Sequence, residues 1–194
     1  MILNLGSGGN IIDSAMNVDF VDGEGTDYVA DLTKFPWIWE DNSVNGIYLH
    51  HVLEHFPLDM QQNIIRECHR ILKVGAFFEI GVPHSSSIGG IGCWGHYSVY
   101  NLNSFSSYLS NPDRAAQYLF PGIRFKTISE KINWLHLRSV GKYKSSSKGL
   151  VYRIAYLMNI FMSGLINICP KLYERFLWVY SGGASEVVWK GIKL

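Results

Sequence analysis

The first apolar run of this chain, residues 2–5, is stopped at once by Gly6-Ser7-Gly8-Gly9. Short runs follow at 16–20 and 27–30, closed by Asp19 and Asp31, and a fourth at 44–49 follows the turn signal Asp41-Asn42-Ser43. Met60, Ile64, Ile65, Cys68, Ile71 and Leu72 then recur at helical spacing, which predicts a helix over 58–73. Pro57 and Asp59 suit its start, and Gly75 its stop. A fifth strand is predicted over 77–82, closed by Pro83. Strands that alternate with helical segments need crossover connections, which generate an α/β fold with a mainly parallel sheet. Beyond residue 84 the signals weaken. They predict a short helix over 103–109, a strand over 125–135, an apolar helix over 150–169, and a terminal strand over 187–194 after the turn Gly182-Gly183.

Composition bounds what such a fold can serve. The chain has 194 residues, 47% of them apolar, and a net charge of +1, which suits one folded domain and excludes disorder. Three scattered cysteines without a CxxC pair exclude a disulfide scaffold and suit a reducing compartment. The start, Met-Ile-Leu-Asn-Leu, has no basic n-region, so a cytoplasmic protein is expected. Charged residues make up 17%, against about 25% in an average soluble protein. The deficit sits in two stretches, 80–112 and 154–170, which hold no Asp, Glu, Lys or Arg. Sign is partitioned as well. Residues 1–79 hold 12 acids and 4 bases, and residues 113–194 hold 4 acids and 13 bases. Either the halves attract each other or the second half meets an anionic partner.

A glycine turn at the carboxyl end of the first strand is where an α/β sheet lets a nucleotide approach the backbone. The dinucleotide fingerprint is incomplete here. Ile11 stands at the third glycine position, and Asp19 follows Gly6 by only 13 residues. The turn belongs to a longer series: Leu3-Asn4-Leu5-Gly6-Ser7-Gly8, Asn17-Val18-Asp19, Asp31-Leu32-Thr33, Asp41-Asn42-Ser43-Val44, His51-Val52-Leu53-Glu54-His55 and Arg70-Ile71-Leu72-Lys73-Val74-Gly75. In that order the series resembles the class I S-adenosylmethionine-dependent methyltransferases, in particular a compact bacterial group with a very short first helix. The resemblance covers residues 2–84 closely and the last strand loosely.

The resemblance implies a Rossmann-like, seven-stranded sheet, mostly parallel with an antiparallel last strand, and a C-terminal helical insertion before that strand. It implies one methyltransferase domain over 1–194, with a cofactor half at 1–84, an acceptor lid at 85–112 and the apolar insertion at 142–180. S-adenosyl-L-methionine is the implied cofactor. Asn4, Gly6, Ser7 and Gly8 would meet its methionine part, Asp19 its ribose hydroxyls, and Asp31 and Leu32 its adenine. His50 and His51 would lie near the methyl group. Asn4 replaces the family's usual acid, and Asn10 stands where a third glycine is usual.

Transfer to an acceptor oxygen also needs a base, and histidine is the usual one. His96 is the first candidate, His84 the second and His51 the third; His69 and His136 read as ordinary helix and strand residues. The aromatic stretch 80–112 suits an apolar acceptor pocket. The expected reaction is O-methylation of a small molecule, glycan or lipid-linked acceptor. A binding or regulatory module without turnover is the alternative. The third option, nucleic-acid methylation, is disfavoured because no Asn/Asp-Pro-Pro-aromatic motif follows the fourth strand.

Two features carry competing readings. His51-Val52-Leu53-Glu54-His55 matches H-x-x-E-H, a zinc-hydrolase pattern on a helix, but no third ligand is obvious and Glu79 and Glu130 are no more than candidates. A strand ends at His51 and Pro57 follows closely, so no metal site is expected. The apolar helix at 150–170 suits a buried cover on the sheet, a homodimer interface, or peripheral membrane contact aided by Arg138, Lys142, Lys144, Lys148 and Lys171.

Overall fold

A computed structural model of the chain describes residues 1–87, 90, 92–111, 118–134, 149–177 and 183–194, without the side chains of 149–152 and 176–177. His136, the basic run from Arg138 to Lys148 and Gly182 lie outside the described residues.

Among the described residues the sheet and its two long helices are β1 (Ile2–Leu5), β2 (Met16–Asp19), β3 (Tyr28–Val29), β4 (Val44–His50), α1 (Leu58–Ile71), β5 (Leu72–Pro83), β6 (Phe125–Asn133), α2 (Gly149–Ile168) and β7 (Glu186–Lys193). The strands form one sheet in the order β3-β2-β1-β4-β5-β7-β6. β1 to β5 are parallel, and β7 runs antiparallel between β5 and β6. Parallel strands are covered on both faces and therefore read as near-continuous apolar runs. Leu3, Leu5, Val18, Ile47, Leu49, Phe78, Ile80 and Val82 are all fully buried.

The expected helix and fifth strand meet without a loop. α1 buries Ile64, Ile65, Cys68 and Ile71, and the chain passes at Leu72 directly into β5. The strand therefore starts earlier than the apolar pattern implies. Val44 pairs with Leu72 but Gly46 with Phe77, so residues 73–76 bulge out, with Gly75 at φ +81°. Glycine here serves the bulge and not the helix stop.

The short first helix implied by the resemblance is replaced by turns. Between β1 and β2 two asparagines take the place of helical hydrogen bonding. Asn4 Nδ2 donates to Asn10 O and to Asn17 Oδ1, both at 2.8 Å. Asn17 Oδ1 also accepts from Ile12 N at 2.9 Å, and Asn17 Nδ2 donates to Asp27 Oδ2 at 3.0 Å. A helix needs a costly nucleus; a turn held by buried side-chain amides needs none.

The helical insertion comes between β6 and β7, as expected, but its burial runs opposite to its hydropathy. Asn167 pairs with both backbone groups of Ile132, at 3.0 and 2.7 Å, and Trp134 N donates to Ser163 Oγ at 3.0 Å. Asn159 is fully buried in the same stripe. These polar residues, spaced four apart, cover the open edge of β6 and satisfy backbone groups that an edge strand leaves unpaired. The apolar face turns outward, and Leu157, Phe161 and Ile168 are 64%, 65% and 79% exposed. A helix that buries its apolar face on the sheet is therefore not what forms. Among the described residues no helix is long and apolar enough to cross a membrane.

Candidate functional site

The carboxyl ends of β1, β2, β4 and β5 meet at one edge of the sheet, beside the first glycine turn. Gly6 has φ +65°, and a Cβ there would lie 2.3 Å from Val52 Cγ2. Both the backbone and the space exclude a side chain. This close approach brings the segment after β4 against the turn. Gly8, at φ +50°, faces open space instead.

Asp19, at the end of β2, receives Gly8 N on Oδ2 at 2.7 Å and Val21 N on Oδ1 at 3.2 Å. A carboxylate offers about four acceptor positions, so each oxygen keeps one for a further donor. Ser7 is buried, and its Oγ has no hydrogen-bond partner among the described residues. Asn4 is buried too, but both its N–H groups are spent within the protein. Its place is therefore under the turn as a brace. Asp31 is exposed; Thr33 donates to its Oδ1 through both Oγ1 and N and holds the carboxyl below its ordinary range. Leu32 is buried, and its carbonyl accepts from Trp37 Nε1 at 3.2 Å.

The histidines divide sharply. His50, buried at the end of β4, places Nε2 3.0 Å from Glu79 Oε1. Burial raises the Glu79 carboxyl, but His50 and Lys190 outweigh it and bring it below the usual value. His51 follows with φ +56°, a left-handed conformation that a non-glycine residue rarely adopts outside strained or functional sites. Its Nδ1 lies 3.3 Å from Glu54 Oε1 and its Nε2 3.1 Å from Glu186 Oε2. Burial alone lowers its pKa, but the two carboxylates reverse this and push it up to about 9. His51 is thus an imidazolium at neutral pH, with a carboxylate facing each ring nitrogen.

His84 is 2% exposed. Its Nδ1 accepts from Ser86 N at 3.0 Å and lies 2.7 Å from Ser86 Oγ, while Nε2 lies 3.2 Å from Glu174 Oε1. Burial lowers its pKa, partly offset by Glu174. Neither nitrogen is left for a substrate. His96 differs: Nδ1 lies 3.2 Å from Gly90 O, and Nε2 has no polar partner among the described residues. Tyr97 N donates to Glu54 O at 2.7 Å and holds His96 beside His55, with the rings 4.7 Å apart.

The H-x-x-E-H reading does not survive this geometry. Leu53–His55 is a single 3-10 turn, and His51 points between Glu54 and Glu186. His51 and His55 therefore do not share a helical face. Glu79 pairs with His50 and Lys190, and Glu130 accepts from Asn103 N and Ser106 Oγ. The sequence pointed to neither Glu174 nor Glu186, and to Glu130 only as a metal-ligand candidate. The signal was their scarcity: residues 113–194 hold four acids, and these are three of them.

A family model described as a methyltransferase domain matches residues 12–80. The chain has the fold of the class I methyltransferases. Solved structures agree across the whole chain. A SAM-dependent methyltransferase from Archaeoglobus fulgidus aligns with TM-score 0.56 at 15% identity, over 99% of this chain and 85% of that one. The 1,6-didemethyltoxoflavin-N1-methyltransferase of Burkholderia thailandensis, solved with S-adenosylhomocysteine, aligns with TM-score 0.53 at 13% identity, over 99% and 70%. The [4+2]-cyclase SpnF aligns with TM-score 0.50 at 12% identity, over 99% and 73%. No curated protein sequence matches the chain. The methyltransferase match begins after the glycine turn and ends within β5, so it covers β2 to β4, α1 and most of β5 and none of the residues beyond.

Proposed function

We propose that this chain uses S-adenosyl-L-methionine to methylate a hydroxyl oxygen of a small-molecule, glycan or lipid-linked acceptor. The bond from Gly8 N to Asp19 Oδ2 carries the cofactor half of this reading. It fixes a carboxylate at the end of β2 against the turn after β1, with acceptor positions to spare for two ribose hydroxyls. Gly6, Ser7 and Gly8 would pass under the methionine part, and Asp31 and Leu32 would flank the adenine. His50 and His51 would border the methyl group. His51 with Glu54 and Glu186 carries a net negative charge, which favours a sulfonium.

In the reaction the acceptor oxygen attacks the methyl carbon as the carbon–sulfur bond breaks, and sulfur keeps the electron pair. The protein supplies position and removes the acceptor proton. His51 is already protonated and both nitrogens of His84 are engaged, which leaves His96 Nε2 as the base. The test uses methyl-tritiated S-adenosylmethionine and a panel of hydroxylated sugars and phenols. His96→Ala should lower transfer by about 100-fold or more, with unchanged S-adenosylhomocysteine affinity. A rate equal to wild type removes His96 from this role. The second reading, a module without turnover, draws on His51 and His84 being engaged by carboxylates and on the cyclase having the same fold. Cofactor binding with no transfer to any acceptor would favour it.

We also propose that the outward face of α2 lies on an anionic lipid surface. Exposed Leu157, Phe161 and Ile168 supply the apolar contact, while Arg153 and Lys171 flank them. The chain should pellet with phosphatidylserine vesicles at low salt, and Phe161→Glu should abolish this. Retention in the supernatant, or a stable dimer that hides Phe161, would contradict lipid contact.

A further inference from the structure

We propose that Glu54, His55 and His96 form a binding site for a divalent transition-metal ion of the zinc type. One ligand atom from each residue lies within 4.8 Å of the others, and no other such trio of His, Cys, Asp or Glu occurs among the described residues. Two imidazoles and a carboxylate are a donor set that zinc favours, and three protein ligands leave a fourth position open. A tetrahedral ion with bonds of about 2.0 Å holds its ligand atoms roughly 3.3 Å apart. Closing onto an ion therefore needs shifts of about an ångström. His55 is exposed and His96 half-buried, so both rings have room to move.

Glu54 points the same way. Its carboxylate is fully buried, yet neither oxygen accepts a hydrogen bond of good geometry. Its ion-pair contact is His51 Nδ1 at 3.3 Å, itself held by Glu186. A buried carboxylate with spare lone pairs is costly unless something cationic meets it. His51 meets one side, and an ion at His55 and His96 would meet the other. This matches the outer-shell arrangement in which a second residue orients a metal-bound carboxylate. The lid supplies His96, and the bond from Tyr97 N to Glu54 O holds it there.

The metal site stands on this cluster alone. What the ion does rests on the methyl-transfer reading. Its open position would take an oxygen donor of the acceptor, and a coordinated hydroxyl loses its proton to water more readily. His96 would then serve as a ligand, and the same alanine substitution would remove the activation in either case.

Cobalt(II) titrated into chelator-treated full-length protein reports the site through its visible ligand-field bands. We expect one equivalent per chain, displaced by zinc, and affinity reduced at least tenfold in His96→Ala and in the exposed-position variant His55→Gln. Circular dichroism of both variants checks folding, and S-adenosylhomocysteine titration of the metal-free protein reads the cofactor site separately. No uptake at about 100 μM cobalt or zinc (against dissociation constants far lower for structural sites), or uptake undiminished in His55→Gln, would overturn the site. The cofactor reading would stand in that event.

Discussion

Asp19→Ala is expected to weaken S-adenosylhomocysteine binding by about 100-fold or more, as read by calorimetric titration. Two hydroxyl donors to a charged acceptor contribute roughly 1.5–3 kcal/mol each, and every 1.4 kcal/mol is tenfold in affinity. The substitution also takes the acceptor from Gly8 N and Val21 N, but both lie at an exposed turn where water can replace it. Stability should therefore change by only about 1 kcal/mol. Asp19→Asn keeps one acceptor oxygen and should cost about tenfold in affinity. Wild-type affinity in Asp19→Ala would remove the carboxylate from the cofactor site.

His51→Leu should destabilise the domain by about 3–5 kcal/mol, the usual cost of removing one partner from buried charges. It strands two carboxylates, Glu54 and Glu186, whose side chains are 1% and 5% exposed. For a chain near 200 residues that is a fall in Tm of roughly 10 °C. The pH dependence has a definite sign. The pKa of His51 rises from 6.5 unfolded to about 9 folded, so its contribution is complete below pH 6.5 and is lost as pH climbs through 9. Wild-type protein should lose stability over that window in chemical denaturation, and His51→Leu should lack this component. A folded-state His51 titrating at or below 6.5 by NMR would contradict the ion-pair triad.

The fold of residues 1–84 was legible in the sequence because its signals are local. The glycine turn, the strand-end acids and the periodicity of α1 each act within a few residues, and all recur in the fold at those positions. The contacts of the histidines after β4 and β5 were not, because they are long-range. His51 and Glu186 are 135 residues apart, and His84 and Glu174 are 90. Neither separation leaves a pattern in the chain. His84 looked like a base because it follows a strand end, yet Ser86 and Glu174 occupy it. The H-x-x-E-H spacing misled for a related reason. It assumes a helix, and the chain makes one 3-10 turn there, so His55 meets His96 and not His51. The apolar helix showed the limit of hydropathy. Asn159, Ser163 and Asn167 looked like flaws in an apolar segment, but they are what attach it to β6. The low charge of 154–170 therefore marks an outward surface instead of a core.

Calorimetric titration of the wild-type chain with S-adenosylhomocysteine tests the central claim most directly. The account predicts a single site per chain with a micromolar dissociation constant, weakened by Asp19→Ala. Absence of binding heat at millimolar ligand, with the protein folded, would contradict it.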